Sequence, residues 1–279
     1  MKSMKNIFKR IINFIRRPKK EIVPVITPTG IDSLLKNKTA LITGGSSGIG
    51  FAIAKTFISS GCKVIIAGSN QDKLSKAISE LGDNAKGIQI DISDVKNIKQ
   101  KILESAVLFE DNQIDILVNS AGAHHTLSFE SMTEEEYDKI MDTNVKGTFF
   151  ICQAMSEYMI KNSIKGHILN LSSSSALRPA WGPYQISKWA IRGFTLGLAE
   201  KLQPYGIVVN AIAPGQTATP MLGKNNTNDI YNGYALAGRY ITPEEIANLA
   251  LFMVSDMGNM IVGDTFYITG GSGVITFEH

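Results

Sequence analysis

The apolar run Ala40-Leu41-Ile42, followed at once by Thr43-Gly-Gly-Ser-Ser-Gly-Ile-Gly50, constrains this chain more than any other segment. The run reads as a short buried strand. Beyond the glycines, Ile49, Ile53, Phe57 and Ile58 recur at helical spacing until Gly61, a suitable helix C-cap. Strand, glycine turn and helix in that order let the backbone approach a pyrophosphate. The helix N-terminus then offers free N–H groups and a positive dipole. Gly44, Ser46, Ser47, Gly48, Ile49 and Gly50 are the candidate phosphate-binding residues. With glycines at 44, 48 and 50, the spacing departs from G-x-G-x-x-G.

The same alternation continues along the chain. Val64–Ala67 reads as a strand, Gln71–Leu81 as a helix and Ile88–Ile90 as a strand. A helix is expected near Val95–Phe109, then the strand Ile114–Val118. Repeated β-α units argue for a parallel sheet covered by helices. A chain of 279 residues with 44% apolar content has ample core for one such domain.

Tyr184 and Lys188 stand four residues apart, which on a helix places both on one face. Alone, neither a phenol of pKa about 10 nor an ammonium of about 10.4 is a useful proton donor or base near neutrality. A cation held beside the phenol favours the phenolate and lowers its pKa. A three-unit drop needs roughly 4 kcal/mol of differential interaction.

Further motifs follow in order. Asn119-Ser-Ala-Gly122 follows the strand ending at Val118, and Asn144-Val-Lys-Gly147 lies beyond it. Ile168-Leu-Asn-Leu-Ser-Ser173 precedes the tyrosine, and Asn210-Ala-Ile-Ala-Pro-Gly215 comes after it. Together with Thr43-Gly-x-x-x-Gly-Ile-Gly50 and Tyr-x-x-x-Lys, these resemble the short-chain dehydrogenase/reductase family over nearly the whole chain after residue 36. One departure is Ser120, where that family usually has a second Asn. The resemblance implies a single doubly wound, Rossmann-type α/β sheet with helices on both faces, spanning residues 36–279.

It also implies an oxidoreductase that moves a hydride between NAD(P)(H) and a carbonyl or secondary alcohol. Tyr184 would protonate the carbonyl oxygen and Ser173 would hydrogen-bond it. Lys188 would tune the phenol and bond the nicotinamide ribose, and Asn144 would hold a water relaying protons to Lys188. Four serines stand at 172–175, so the serine register is open: Ser173 is eleven residues before Tyr184 and Ser172 twelve. His124, on the loop after Asn119, joins Ser173 and Tyr184 as an expected substrate contact.

The same likeness extends the cofactor set beyond the glycine loop to Ser69, Asn70, Asp91 and Ile92. It also includes Asn119, Ala121, Gly122, Tyr184 and Lys188, with Pro214, Gly215, Thr217 and Thr219 closing over the nicotinamide. The family's NAD binders carry an acid where this chain has Gly68, and its NADP binders a base where it has Ser69 or Ser47. Lacking a carboxylate that would repel a 2′-phosphate, the chain is expected to take NADP, with NAD possible. A cofactor-sensing or scaffold protein on the same fold is the alternative, although a complete Asn–Ser–Tyr–Lys set argues for turnover. The family commonly forms homo-oligomers, as tetramers or dimers.

Residues 1–20 differ in kind. They hold eight of the 28 Lys and Arg and no acid, so the remaining 20 bases face 25 acids, a formal charge of −5. Met4, Ile7, Phe8, Ile11, Ile12 and Ile15 draw one apolar helical stripe. Pro18 ends it, and Pro24 and Pro28 mark a linker, so residues 1–35 read as a basic amphipathic helix and linker. The apolar stretch is too short to span a bilayer and is a poor secretory signal core. Contact with an anionic membrane surface is expected, with a subunit contact as the alternative. Nothing points to nucleic acid. Cys62 on a predicted strand and Cys152 on a predicted helix form no framework, which favours a reduced, cytoplasmic compartment. His124 and His125 have no Cys or carboxylate spacing to support a metal site.

Overall fold

The computed structural model describes residues 30–223, 230–232, 235–273 and 275. The expected helix over 1–20 and its linker as far as residue 29 lie outside the described residues.

Among the described residues, seven parallel strands form one sheet in the order β3-β2-β1-β4-β5-β6-β7. They are β1 (Thr39–Thr43), β2 (Lys63–Gly68), β3 (Ala85–Gln89), β4 (Ile116–Asn119), β5 (His167–Leu171), β6 (Val208–Pro214) and β7 (Thr265–Ile268). The helices are α1 (Gly48–Ser59), α2 (Gln71–Leu81), α3 (Ile98–Ala106), α4 (Glu134–Met141), α5 (Thr148–Lys161), α6 (Pro183–Leu202) and α7 (Pro243–Val254). Every residue of β1 is buried, as expected of a central strand covered on both faces. Alternate β1 side chains feed two cores. Ala40 and Ile42 pack with α1 and α7, whereas Leu41 packs with α3, α5 and α6.

The order reverses between β1 and β4, and in such sheets ligands bind at the crevice beyond the strand C-termini at that point. The glycine loop leaves β1 there, and the Asn119 segment leaves β4. Between α4 and α5 the chain runs as a π-helical turn, Asp142–Gly147, which carries Asn144. Such turns mark local departures from helical register and are often found at functional sites.

Several boundaries differ from the sequence reading. The third helix is shorter than Val95–Phe109, because residues 94–97 form turns before it. β3 starts at Ala85, and Cys62 sits one residue before β2. Leu35 is 1% exposed and its amide donates to Ser60 O at 2.9 Å, so the packed core reaches back before residue 36. No helix among the described residues is long and apolar enough to cross a membrane.

Candidate active site

The glycine loop is shaped by its backbone. Gly44 adopts φ +64°, where a side chain is strained, and an added Cβ would lie 2.8 Å from Ala121 Cα. Thr43 ties this loop to the end of β4: its Oγ1 accepts from the amides of Ser120 and Ala121, each at 3.1 Å. Ser47 caps α1 without a side-chain hydrogen bond, so the donors of the first turn are not capped from within. That arrangement suits a pyrophosphate at the helix start.

A cleft of about 400 Å³ opens over this loop. Gly44, Ser47, Gly48 and Ile49 form one part of its wall, with Ala121 and Gly122 beside them. Pro214, Gly215, Thr217 and Thr219 line it from the segment after β6. Ser173, Tyr184, Lys188 and His124 complete the wall. The residues expected at strand ends on opposite sides of the chain thus meet in one crevice.

Lys188 is buried in it. Its Nζ donates to Leu171 O at 3.0 Å and lies 5.6 Å from the centre of the Tyr184 ring. Among the described residues no carboxylate pairs with it, and burial pulls its pKa down to about 8. Tyr184 moves the other way. Burial pushes its phenol above the ordinary value, and only a hydrogen bond with Ser173 opposes this. The net shift of the Tyr184 phenol is therefore upward, set first by its desolvation. A phenol held neutral in this way carries its proton at neutral pH.

The two candidate serines differ in where their hydroxyls point. Ser172 and Ser173 both border the cleft, but Ser172 Oγ donates to Lys188 O at 2.9 Å, while the Ser173 hydroxyl faces the Tyr184 phenol. The Ser173 Oγ also accepts from Ser175 N at 3.1 Å, which fixes its rotamer. Asn144 is fully engaged. Its Oδ1 accepts from Ala123 N at 2.7 Å, and its Nδ2 donates to Ala123 O and to Ser187 Oγ, both at 3.0 Å. The π-helical turn thus pins the loop after β4 to α6. A Cβ on Gly122 would fall 3.4 Å from Asn144 Oδ1 and 3.8 Å from Lys188 Nζ, so Gly122 marks the space those two side chains share.

Other expected cofactor residues stand off the cleft wall. The Asn119 side chain is buried in the core, donating to Asn170 Oδ1 at 2.8 Å in a network that continues to Thr195. Asn70 spends its side-chain oxygen capping α2, accepting from Lys73 N at 2.9 Å. Asp91 accepts from Ser93 N and Oγ, Ile92 is buried against Gly147, and the Ser69 carbonyl accepts from Gln89. Ser46 lies beside Gly68, and Gly50 packs against the Gly44 carbonyl.

His124 lines the cleft with its ring edge-on to Tyr184, centroids 4.8 Å apart. Burial, and then His125, hold its pKa below the usual range. His125 is buried, bonded through Nδ1 to Leu127 O at 3.0 Å, and stacked edge-on with Trp181. Sequence reasoning missed Ser120, Arg178, Gln216 and Ser272, which also line the cleft. Ser272 comes from the C-terminal segment beyond β7, whose approach no local pattern announces.

Known proteins carry the same architecture. The family model described as short chain dehydrogenase matches residues 38–230. A 3-oxoacyl-[acyl-carrier-protein] reductase of Chlamydia muridarum is 38% identical over 249 residues, covering 86% of this chain and 99% of that protein. A 3α-hydroxysteroid dehydrogenase of Mediterraneibacter gnavus is 38% identical over 248 residues, covering 86% and 98%. Among solved structures, a 3-ketoacyl-(acyl-carrier-protein) reductase from Brucella melitensis, complexed with NADH, superposes with a TM-score of 0.79 at 29% identity. It covers 86% of this chain and all of that one. The chain accordingly belongs to the short-chain dehydrogenase family and is an NAD(P)-dependent oxidoreductase acting on carbonyl or alcohol groups.

Proposed function

We propose that the cleft over the glycine loop reduces a ketone, or oxidises the matching secondary alcohol, by proton transfer at Tyr184. One observation carries this reading: the buried, carboxylate-free Lys188 ammonium beside the Tyr184 phenol, with Ser173 on the same cleft wall. The nicotinamide cofactor, when bound, supplies or accepts the hydride. Tyr184 gives its proton to the substrate oxygen, and the positive charge of Lys188 favours the phenolate left behind. Ser173 donates to the same oxygen, where negative charge develops. Asn144 acts by position, holding the loop after β4 against α6 so that the space between Gly122 and Lys188 stays open.

NADP(H) is the preferred cofactor in this reading. No acid stands at Gly68, Ser69 or Asn70 to repel a 2′-phosphate, and Lys73 lies in the first turn of α2. With no arginine fork there, the preference is modest, on the order of tenfold. The relatives' names concern a 3-oxoacyl group and a 3α-hydroxysteroid, which supports a carbonyl substrate without choosing between them. Self-association is supported by apolar side chains left exposed on α5 and α6, among them Phe149, Trp189 and Leu196. The charge and apolar spacing of residues 1–20 support contact with an anionic membrane surface.

The test is oxidation of NADPH and of NADH against a panel of ketones. Turnover with NADPH favoured supports the reading. A strong preference for NADH overturns the cofactor choice, and no turnover with either overturns the reaction.

A further inference from the structure

Arg178 is a cation in the cleft wall that the mechanism does not use. It follows the 3₁₀ turn Ser174–Leu177 and lies between Ser173 and Tyr184 in the chain. Its backbone is held on both sides. Arg178 N donates to Ser175 O at 3.3 Å, and Trp189 Nε1 donates to Arg178 O at 3.0 Å. The guanidinium is held at its tip, where Nη2 donates to Ser272 Oγ at 3.1 Å. The main chain passes close beside it at Gly273, where an added Cβ would lie 3.1 Å from Nε.

This guanidinium has five N–H donors, and the bond to Ser272 engages one of its nitrogens. Among the described residues it forms no ion pair, and no aspartate or glutamate lines the cleft. A planar fork of donors, held at its tip by Ser272 in a cleft that Ser174 and Ser175 also line, matches an oxyanion.

We propose that Arg178 anchors a carboxylate or phosphate group carried by the carbonyl substrate, which makes it a specificity-determining residue for acidic ketones. This rests on the reading of the cleft as a ketone-reducing site. The anion would sit on the Arg178–Ser272 side while the carbonyl oxygen meets Ser173 and Tyr184.

The experiment compares straight-chain oxo-carboxylic acids with their methyl esters, and oxoalkyl phosphates with the corresponding neutral oxo-alcohols, at saturating NADPH. Wild type should favour the charged member by about tenfold or more in kcat/KM. The series with the larger ratio identifies carboxylate or phosphate as the anion. Arg178→Met should bring that ratio close to one, and Arg178→Lys should keep part of it. A wild-type ratio at or below one, or a ratio unchanged in Arg178→Met, overturns the proposal. So does a rise in the KM for NADPH with the ratio intact, since Arg178 would then serve the cofactor. Failure of all ketones would sink the reaction itself, so a second arm reads binding alone. Glutarate or inorganic phosphate should raise the melting temperature of the NADPH-loaded wild type, and this shift should vanish in Arg178→Met. Absence of any such shift in wild type counts against the anion site whatever the turnover result.

Discussion

Ser172 and Ser173 are neighbours whose hydroxyls have different surroundings: the first donates to Lys188 O at 2.9 Å, and the second faces the Tyr184 phenol. Their roles should separate on mutation. Ser173→Ala removes a donor to the developing oxyanion and is expected to lower kcat by about 10²-fold. Ser172→Ala loses one buried bond to a helix carbonyl, which costs about 1 kcal/mol of stability and little rate. Measuring kcat and melting temperature for both variants checks this. A larger rate loss in Ser172→Ala would reverse the assignment.

Tyr184→Phe keeps the ring against His124 and deletes the proton. Turnover should fall by 10²-fold or more while NADPH still binds. Fluorescence titration of NADPH alongside steady-state rates is the check. Residual activity well above about one per cent of wild type would remove Tyr184 as the general acid.

Lys188→Met should abolish turnover yet stabilise the cofactor-free protein. The ammonium titrates at about 8 when folded, against an ordinary value of 10.5, so the unfolded state holds the proton more tightly. The resulting penalty on folding is fully present below pH 8 and fades as pH rises from about 8 to 10.5. Removing the charge relieves it, at the loss of the bond to Leu171 O, for a net gain of about 1–3 kcal/mol at pH 7. Thermal melts at pH 7 and pH 10 should show a higher melting temperature for Lys188→Met at pH 7 and a smaller gap at pH 10. An equal or lower value at pH 7 contradicts the argument.

Deleting residues 1–29 keeps Leu35 and its bond to Ser60, so the domain should stay folded and active on a small soluble ketone. The full chain should co-sediment with anionic vesicles at low salt and release as salt rises, because its eight basic charges are screened within about 8–10 Å. The truncated chain should not co-sediment. A full chain that ignores such vesicles, paired with a truncated one that changes oligomeric state, assigns the stripe to a subunit contact.

What the sequence determined by itself was local or periodic. The strand, glycine turn and helix from Ala40 to Ser59 depend on backbone freedom at Gly44 and on apolar spacing, both carried by adjacent residues. The pairing of Tyr184 with Lys188 is a property of one helix turn, and α2 runs over Gln71–Leu81 as its pattern predicts. Tertiary structure decided everything that depends on which way a side chain points and what covers it. Asn119 is a cofactor candidate in its motif, and only strand pairing shows that its side-chain amide meets Asn170. Two adjacent serines are chemically equal until a carbonyl of α6 takes the hydroxyl of one and the other is left facing Tyr184. Lys188 is an ordinary lysine in sequence, and only its enclosure without a carboxylate brings its pKa to about 8. Arg178 and Ser272, 94 positions apart, meet only because the segment after β7 returns to the cleft. Desolvation and long-range contact are properties of the packed molecule, and no window of sequence contains them.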